Sequence, residues 1–102
     1  MTVAGTKEID IIAYLVPKAG MEDALSDAVL AIVPAVRREP GCLSYTPHLS
    51  RDRPGMIVMV ERWADDAALA AHEKAPPLTG LAARFDELLA EPLRLERLSR
   101  IG

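Results

Sequence analysis

The stretch from Pro40 to His72 constrains the fold most, because it predicts two neighbouring strands that lead directly into a helix. Its sequence is PGCLSYTPHLSRDRPGMIVMVERWADDAALAAH. The alternation over Cys42–Leu49 and the nearly all-apolar run Met56–Trp63 are typical of strands, and the polar cluster RDRPG at 51–55 predicts the turn between them. We therefore expect a β-hairpin around which the rest of the chain is organised.

Helical patterns follow the hairpin. Asp65 suits the N-cap of a helix over Asp66–Lys74, because its carboxylate can accept hydrogen bonds from the free N–H groups of the first turn. The Pro76-Pro77 pair stops that helix, and helical spacing resumes from Leu78 to Glu91. The last segment, Leu93–Ile101, alternates as a half-exposed strand.

The part before the hairpin predicts one more strand and one more helix. Lys7–Val16 alternates as a strand whose two faces are both largely apolar. Acidic residues from Glu22 onward suit the first turn of a helix, and apolar residues at three-and-four spacing extend it to about Arg38. Pro34 lies inside this pattern, which continues beyond it, so we predict a kink near Ala31 and not an end.

The order of elements is β-α-β-β-α-β, with the second helix divided at the proline pair. This is the ferredoxin-like α+β pattern with an antiparallel sheet. Two helices can cover only one face of four strands, yet the third predicted strand carries Ile57 and Met59 on one face and Val58 and Val60 on the other. We expect the uncovered face to bury itself against a second copy of the chain, which gives a homodimer with a barrel-like core.

Composition excludes several classes of function. The 102 residues predict a single domain over residues 1–102, and a net charge of −3 with scattered basic residues gives no reason to expect nucleic acid as a partner. No apolar run is long enough for a membrane span, and the first residues do not resemble a signal peptide. Cys42 is the only cysteine, so an internal disulfide is impossible, and we expect a reducing, cytoplasmic location.

Three groups of residues carry a resemblance to a known family: Pro40-Gly41-Cys42-Leu43-Ser44-Tyr45, Glu61-Arg62-Trp63 and Ala71-His72. In their order and spacing they resemble the antibiotic biosynthesis monooxygenase (ABM) domain family, and the similarity extends over essentially the whole chain. Ile32–Val36 and Ile57–Glu61 look most like the quinol monooxygenase branch. The resemblance implies a dimeric α+β barrel and, in many members, oxidation of electron-rich phenols, anthrones or quinols by O₂ without a cofactor.

Such a reaction needs a base, hydrogen-bond donors for the resulting anion, and a dry pocket. His72 is the candidate base, because an imidazole ordinarily changes charge between pH 5 and 8. The alternative is a helix histidine that only bonds a backbone carbonyl or Glu61. At the level of function, the alternative to a monooxygenase is a non-catalytic or isomerase-like dimeric module that binds a small hydrophobic ligand.

Four further residues complete the candidate site. Glu61 and Trp63 are two apart on one strand and project from the same face, which meets either the helices or the dimer partner. If it meets the helices, we expect Trp63 to wall a pocket for an aromatic ring while Glu61 orients His72 as the second catalytic residue. Tyr45 and Tyr14 are candidate substrate-binding residues, although a strand tyrosine can equally be a packing residue.

We expect no cofactor and no metal. Cys42 and His48 lack the local motif of a nucleophilic or metal site. The haem-degrading members of the family place an asparagine on the first strand, a tryptophan on the helix and a haem-ligating histidine further along. This chain has Ala13, His72 and Ala82 at the corresponding positions, so the axial ligand is missing.

Overall fold

The computed structural model describes residues 7–102, in which the central hairpin forms half of a four-stranded antiparallel sheet. The strands are β1 (Ile9–Leu15), β2 (Cys42–Leu49), β3 (Ile57–Trp63) and β4 (Arg94–Leu98). Their order across the sheet is β2-β3-β1-β4, with β1 antiparallel to both β3 and β4. The predicted ferredoxin-like α+β arrangement is confirmed.

Four helices lie on one face of this sheet. They are α1 (Glu22–Arg37), α2 (Asp66–Lys74), α3 (Pro76–Ala82) and α4 (Phe85–Leu88). The prediction of one helical segment from Leu78 to Glu91 was wrong in two respects. A turn at 83–84 divides the segment into α3 and α4, and the second helix ends at Leu88, since Leu89 is already extended. There it forms an isolated antiparallel bridge with Pro17, and this tertiary pairing outweighs the local helical spacing.

Helix α1 continues through Pro34, as predicted. Pro34 removes one backbone hydrogen bond, but it lies on the exposed side, where water can satisfy the freed carbonyl group. Val36, beyond the proline, is fully buried, which confirms that it belongs to the apolar stripe on the sheet. The stripe explains why the helix persists: burial of a large apolar side chain contributes roughly 1.5–3 kcal/mol.

The core lies between the helices and the odd-numbered residues of β1 and β3. Apart from the half-buried Ile9, these strand residues are buried: Ile11, Ala13, Leu15, Ile57, Met59, Glu61 and Trp63. They meet buried residues of the helices, among them Leu25, Val29, Leu69 and Leu81. Glu61 is the exception in polarity, since it is a carboxyl group only 4% exposed in an otherwise apolar layer.

The opposite face of the sheet is not covered by any element of residues 7–102. It carries the even-numbered residues of β1 and β3, with Val60 38% exposed and Leu98 of β4 40% exposed. The same face holds ion pairs of Arg62 with Glu8 and Asp10, and of Arg100 with Asp10. Between residues 7 and 102, no helix is long and apolar enough to cross a bilayer.

Two local features fix the start of α2 against the hairpin. The Asp65 carboxylate accepts a hydrogen bond from the Ala68 N–H at 2.8 Å, so the predicted N-cap is confirmed. Gly41, at the start of β2, has φ +82° and accepts a hydrogen bond from Ala64 N–H at 2.8 Å. A Cβ at Gly41 would collide with the Cβ of Ala68, so the absence of a side chain lets α2 pack against this turn.

Candidate functional site

The helix-facing side of the hairpin and α2 bring four of the five predicted site residues together. Glu61 and Trp63 project from β3 toward the helices, which answers the question that alternation left open. Tyr45 of β2 is directly opposite Glu61 in the strand register, and His72 comes down onto them from the last turns of α2. All four side chains are buried.

Three rings form the centre of this cluster. The imidazole of His72 stacks on the indole of Trp63, with ring centroids 4.5 Å apart and planes 27° from parallel. Tyr45 contacts both edge-on, at 5.6 Å from His72 and 6.5 Å from Trp63. Because Trp63 is completely buried, its ring fixes the plane of the imidazole against a rigid wall.

Glu61 does not orient His72, so that part of the sequence-based hypothesis was wrong. Its Oε1 instead accepts a hydrogen bond from the indole N–H of Trp63 at 2.9 Å. Burial raises the pKa of the Glu61 carboxyl, and the hydrogen bond from Trp63 and the proximity of His72 oppose that rise in part. A proton on Glu61 would turn it into a hydrogen-bond donor beside His72.

The partner of His72 is Glu39, which sequence reasoning missed. Glu39 follows α1 directly, and its Oε1 lies 2.8 Å from His72 Nδ1. An ionised carboxylate can only accept hydrogen bonds, so a neutral imidazole that pairs with an ionised Glu39 would carry its proton on Nδ1 and keep Nε2 as its basic nitrogen. The two residues are 33 positions apart in different elements, and no local pattern links them.

Tyr45 keeps its proton at any physiological pH. Burial raises the pKa of its hydroxyl well above the ordinary value, and the nearby carboxylates of Glu61 and Glu39 raise it further. A neutral phenol is a hydrogen-bond donor, and Tyr45 lines a partly open cavity together with Glu61 and His72. The site therefore combines one basic nitrogen with a hydroxyl donor.

The cavity that these groups share is narrow and mostly apolar. Its volume is about 40 Å³. The apolar walls come from the sheet and from the helices, and they include Ile11, Met59, Leu69, Leu78, Phe85 and Leu95. An engineered apolar cavity that binds benzene has a volume of about 150 Å³, so we expect an aromatic ring to enter this smaller cavity only if the helices or β4 move outward.

The remaining candidates lie elsewhere. Tyr14 is on the opposite face of the sheet, where its hydroxyl donates to Glu96 at 3.3 Å and Arg94 stacks over its ring at 4.0 Å. His48 is exposed on β2, with Nδ1 3.1 Å from the Thr46 carbonyl. Within residues 7–102, no group of three or more histidine, cysteine or acidic side chains is arranged to hold a metal ion.

The sequence of the chain is similar to those of known proteins. A family model described as "Antibiotic biosynthesis monooxygenase" matches residues 9–89. The chain is 28% identical over 85 residues to a protein of Bacillus subtilis (strain 168) named "Putative monooxygenase YcnE", a match that covers 83% of this chain and 90% of that protein.

Two solved structures have the same fold as the chain and are similar to it in sequence. Rv0793 from Mycobacterium tuberculosis superimposes with a TM-score of 0.87 and 29% identity, over 93% of this chain and 96% of that one. PA3566 from Pseudomonas aeruginosa gives a TM-score of 0.88 and 29% identity, over 95% and 97% of the two chains.

Proposed function

The chain belongs to the antibiotic biosynthesis monooxygenase family, and from that premise we propose that it oxidises a small electron-rich aromatic compound with O₂. The substrate is a quinol, an anthrone or a phenol, and the reaction uses neither an organic cofactor nor a metal. The similarity of the sequence to the quinol monooxygenase branch supports this substrate class.

One observation carries the proposal: a buried histidine, paired through Nδ1 with Glu39, lines a mostly apolar cavity. His72 is 3% exposed, is stacked on Trp63 and lies beside the hydroxyl donor Tyr45. A base in such a place can remove a proton from a substrate hydroxyl or an acidic C–H group while water is excluded. Tyr45 and a protonated Glu61 can then donate hydrogen bonds to the substrate anion.

For an anthrone-type methylene group, the chemistry balances without any other reductant. Proton transfer to His72 gives an electron-rich anion, which passes one electron to O₂, and the resulting radical pair combines to form a C–O bond. Loss of the second C–H proton then breaks the O–O bond. The CH₂ group becomes C=O, and the other oxygen atom leaves as water with the two protons.

The small volume of the cavity favours a second candidate. A space of about 40 Å³ does not accept a ring as it stands, so the protein could be a dimeric module that binds a small hydrophobic ligand without oxidising it. The two candidates differ in one measurable quantity, because only the first predicts that the protein consumes O₂.

An oxygen electrode decides between them. The protein, treated with a chelator and free of flavin and haem, is supplied with a dihydroxynaphthalene, a quinol or an anthrone beside a buffer blank, because these compounds autoxidise. His72→Ala should lower the rate by about 10²–10⁴-fold, the usual contribution of a positioned base. His48→Ala is the matched control, since it removes the exposed histidine on β2.

Two outcomes contradict the proposal. Rates equal to the blank over the whole panel would favour the binding module. Turnover that His72→Ala leaves unchanged would keep the monooxygenase but remove its base.

We also propose that the functional unit is a cytoplasmic homodimer that pairs through the open face of the sheet. The support is the exposure of Val60 and Leu98 beside partly buried Ile12 and Val58, since each large apolar side chain removed from water contributes roughly 1.5–3 kcal/mol. The lone Cys42 supports the reducing compartment. Light scattering at low micromolar concentration tests the dimer, and a mass of 11.1 kDa would refute it.

A further inference from the structure

His72 separates two spaces. On one side is the cavity lined by Tyr45 and Glu61, and on the other is a surface groove of about 420 Å³ between α2 and the turn at Pro40 and Gly41. Among residues 7–102, His72 is the one residue that borders both. Glu39 borders the groove but not the cavity, so the imidazole meets its carboxylate on the side away from the substrate.

We infer that Glu39 is the positioning residue of the site: it holds His72 in the Nδ1-protonated form and supplies the charge that balances the imidazolium. This inference rests on the proposed role of His72 as the base. The Nδ1–Oε1 distance of 2.8 Å is that of a charge-assisted hydrogen bond. With Nδ1 occupied in this way, only Nε2 is free to accept the substrate proton.

Charge balance gives Glu39 a second task. A proton accepted by His72 creates a cation that is 3% exposed, and a buried charge without a partner is strongly unfavourable. The Glu39 side chain is 14% exposed, and its Oε2 has no hydrogen-bond partner within residues 7–102. Among these residues, the imidazole of His72 is therefore the group that the Glu39 carboxylate pairs with. When the pair takes up a proton, its net charge therefore changes from −1 to zero, and no unbalanced positive charge is left in the interior.

The neighbouring acids do not duplicate this contact. Glu61 Oε1 accepts a hydrogen bond from the Trp63 indole N–H at 2.9 Å, and Glu73, next to His72 on α2, forms an ion pair with Arg97 of β4 at 3.5 Å. Glu73 is therefore a matched control: it is an acid beside His72 in sequence that makes no bond to the ring. Its replacement should leave the state of the imidazole unchanged.

Nuclear magnetic resonance measures the protonation of the His72 ring directly. In ¹⁵N-histidine-labelled protein, two-bond ¹⁵N–¹H correlation spectra report which ring nitrogen carries the proton, and His72→Ala assigns the signals. The wild type should show the Nδ1-protonated ring of His72. Glu39→Ala and the space-filling Glu39→Leu should both shift it toward the Nε2-protonated ring that free histidine prefers, whereas Glu73→Ala should not.

Added formate can replace the lost carboxylate of Glu39, and it tests whether the groove gives access to the His72 imidazole. In Glu39→Ala the lost side chain leaves room that is continuous with the groove, so added formate should restore the Nδ1-protonated ring, but not in Glu39→Leu. In Glu39→Ala the rate of O₂ consumption should fall by about 10-fold or more, which is a smaller decrease than in His72→Ala. Added formate should restore this rate.

Three results overturn the inference: an Nε2-protonated His72 in the wild type, a ring unchanged by Glu39→Ala, or no effect of formate on that variant. The spectra do not depend on turnover. A protein that consumes no O₂ but shows the expected spectra therefore loses the proposed function and keeps the Glu39–His72 pairing.

Discussion

Replacing Gly41 by alanine should cost far more than the same change at another left-handed glycine. Gly20 and Gly41 have almost the same backbone angle, with φ +86° and +82°. They differ in their surroundings: a Cβ at Gly20 would meet no heavy atom within 4 Å, while one at Gly41 would overlap the Cβ of Ala68. The pair of variants therefore separates backbone strain from packing.

The magnitudes follow from these two contributions. A non-glycine residue in the left-handed region costs roughly 1–2 kcal/mol, which both variants incur. Overpacking against α2 adds typically 1–3 kcal/mol at Gly41 alone. The difference corresponds to a melting temperature at least about 4 °C lower for Gly41→Ala than for Gly20→Ala in a domain of this size.

The assay is thermal and urea unfolding followed by circular dichroism, at one protomer concentration because dimerisation would shift the midpoint. The variant Ala68→Gly removes the overlapping Cβ at a cost of its own of about 1 kcal/mol for a glycine in the helix, so the double variant Gly41→Ala/Ala68→Gly is compared with Ala68→Gly. In that background Gly41→Ala should cost no more than Gly20→Ala does in the wild type. Equal destabilisation by Gly20→Ala and Gly41→Ala in the wild type, or an undiminished cost of Gly41→Ala in the Ala68→Gly background, would refute the packing argument.

Two further predictions concern the same region. Because burial raises the pKa of Glu61 in the folded protein, the contribution of Glu61 to stability is complete below the ordinary carboxyl pKa and is lost as pH rises through the raised value. Glu61→Gln should therefore gain stability over the wild type as pH rises from the ordinary carboxyl pKa through the raised value, and the exposed control Glu87→Gln should not. A constant difference across that range would contradict the buried ionisation. Asp65→Ala should lower the free energy of unfolding by about 1 kcal/mol, because it removes the N-cap of α2. Asp66→Ala is the control and should have a smaller effect. Equal urea midpoints for the two variants would show that the cap contributes nothing.

Local features of the sequence predicted most of the fold. β2 and α2 have the predicted bounds, Cys42–Leu49 and Asp66–Lys74, because alternation, turn residues and the Asp65 cap all act within a few positions. The failure lies where a distant contact intervenes. The helix predicted to reach Glu91 ends at Leu88, because Leu89 pairs with Pro17, some seventy positions earlier in the chain.

The site was predictable as a set of residues but not as a set of bonds. Strand periodicity placed Glu61 and Trp63 on one face, but β3 is apolar on both faces, so it could not say which face meets the helices. Glu39 was missed because its pairing with His72 depends on how the end of α1 lies against α2. Such a contact has no signature in the local sequence.

The position of Trp63 makes the protein its own spectroscopic probe. It is the only tryptophan of the chain, so all indole fluorescence comes from a ring that stacks on His72 and donates to Glu61. An imidazolium in contact with an excited indole quenches its emission by accepting an electron, whereas a neutral imidazole does so much less. Emission intensity therefore reports the protonation of the candidate base, without a label, in every variant that retains His72.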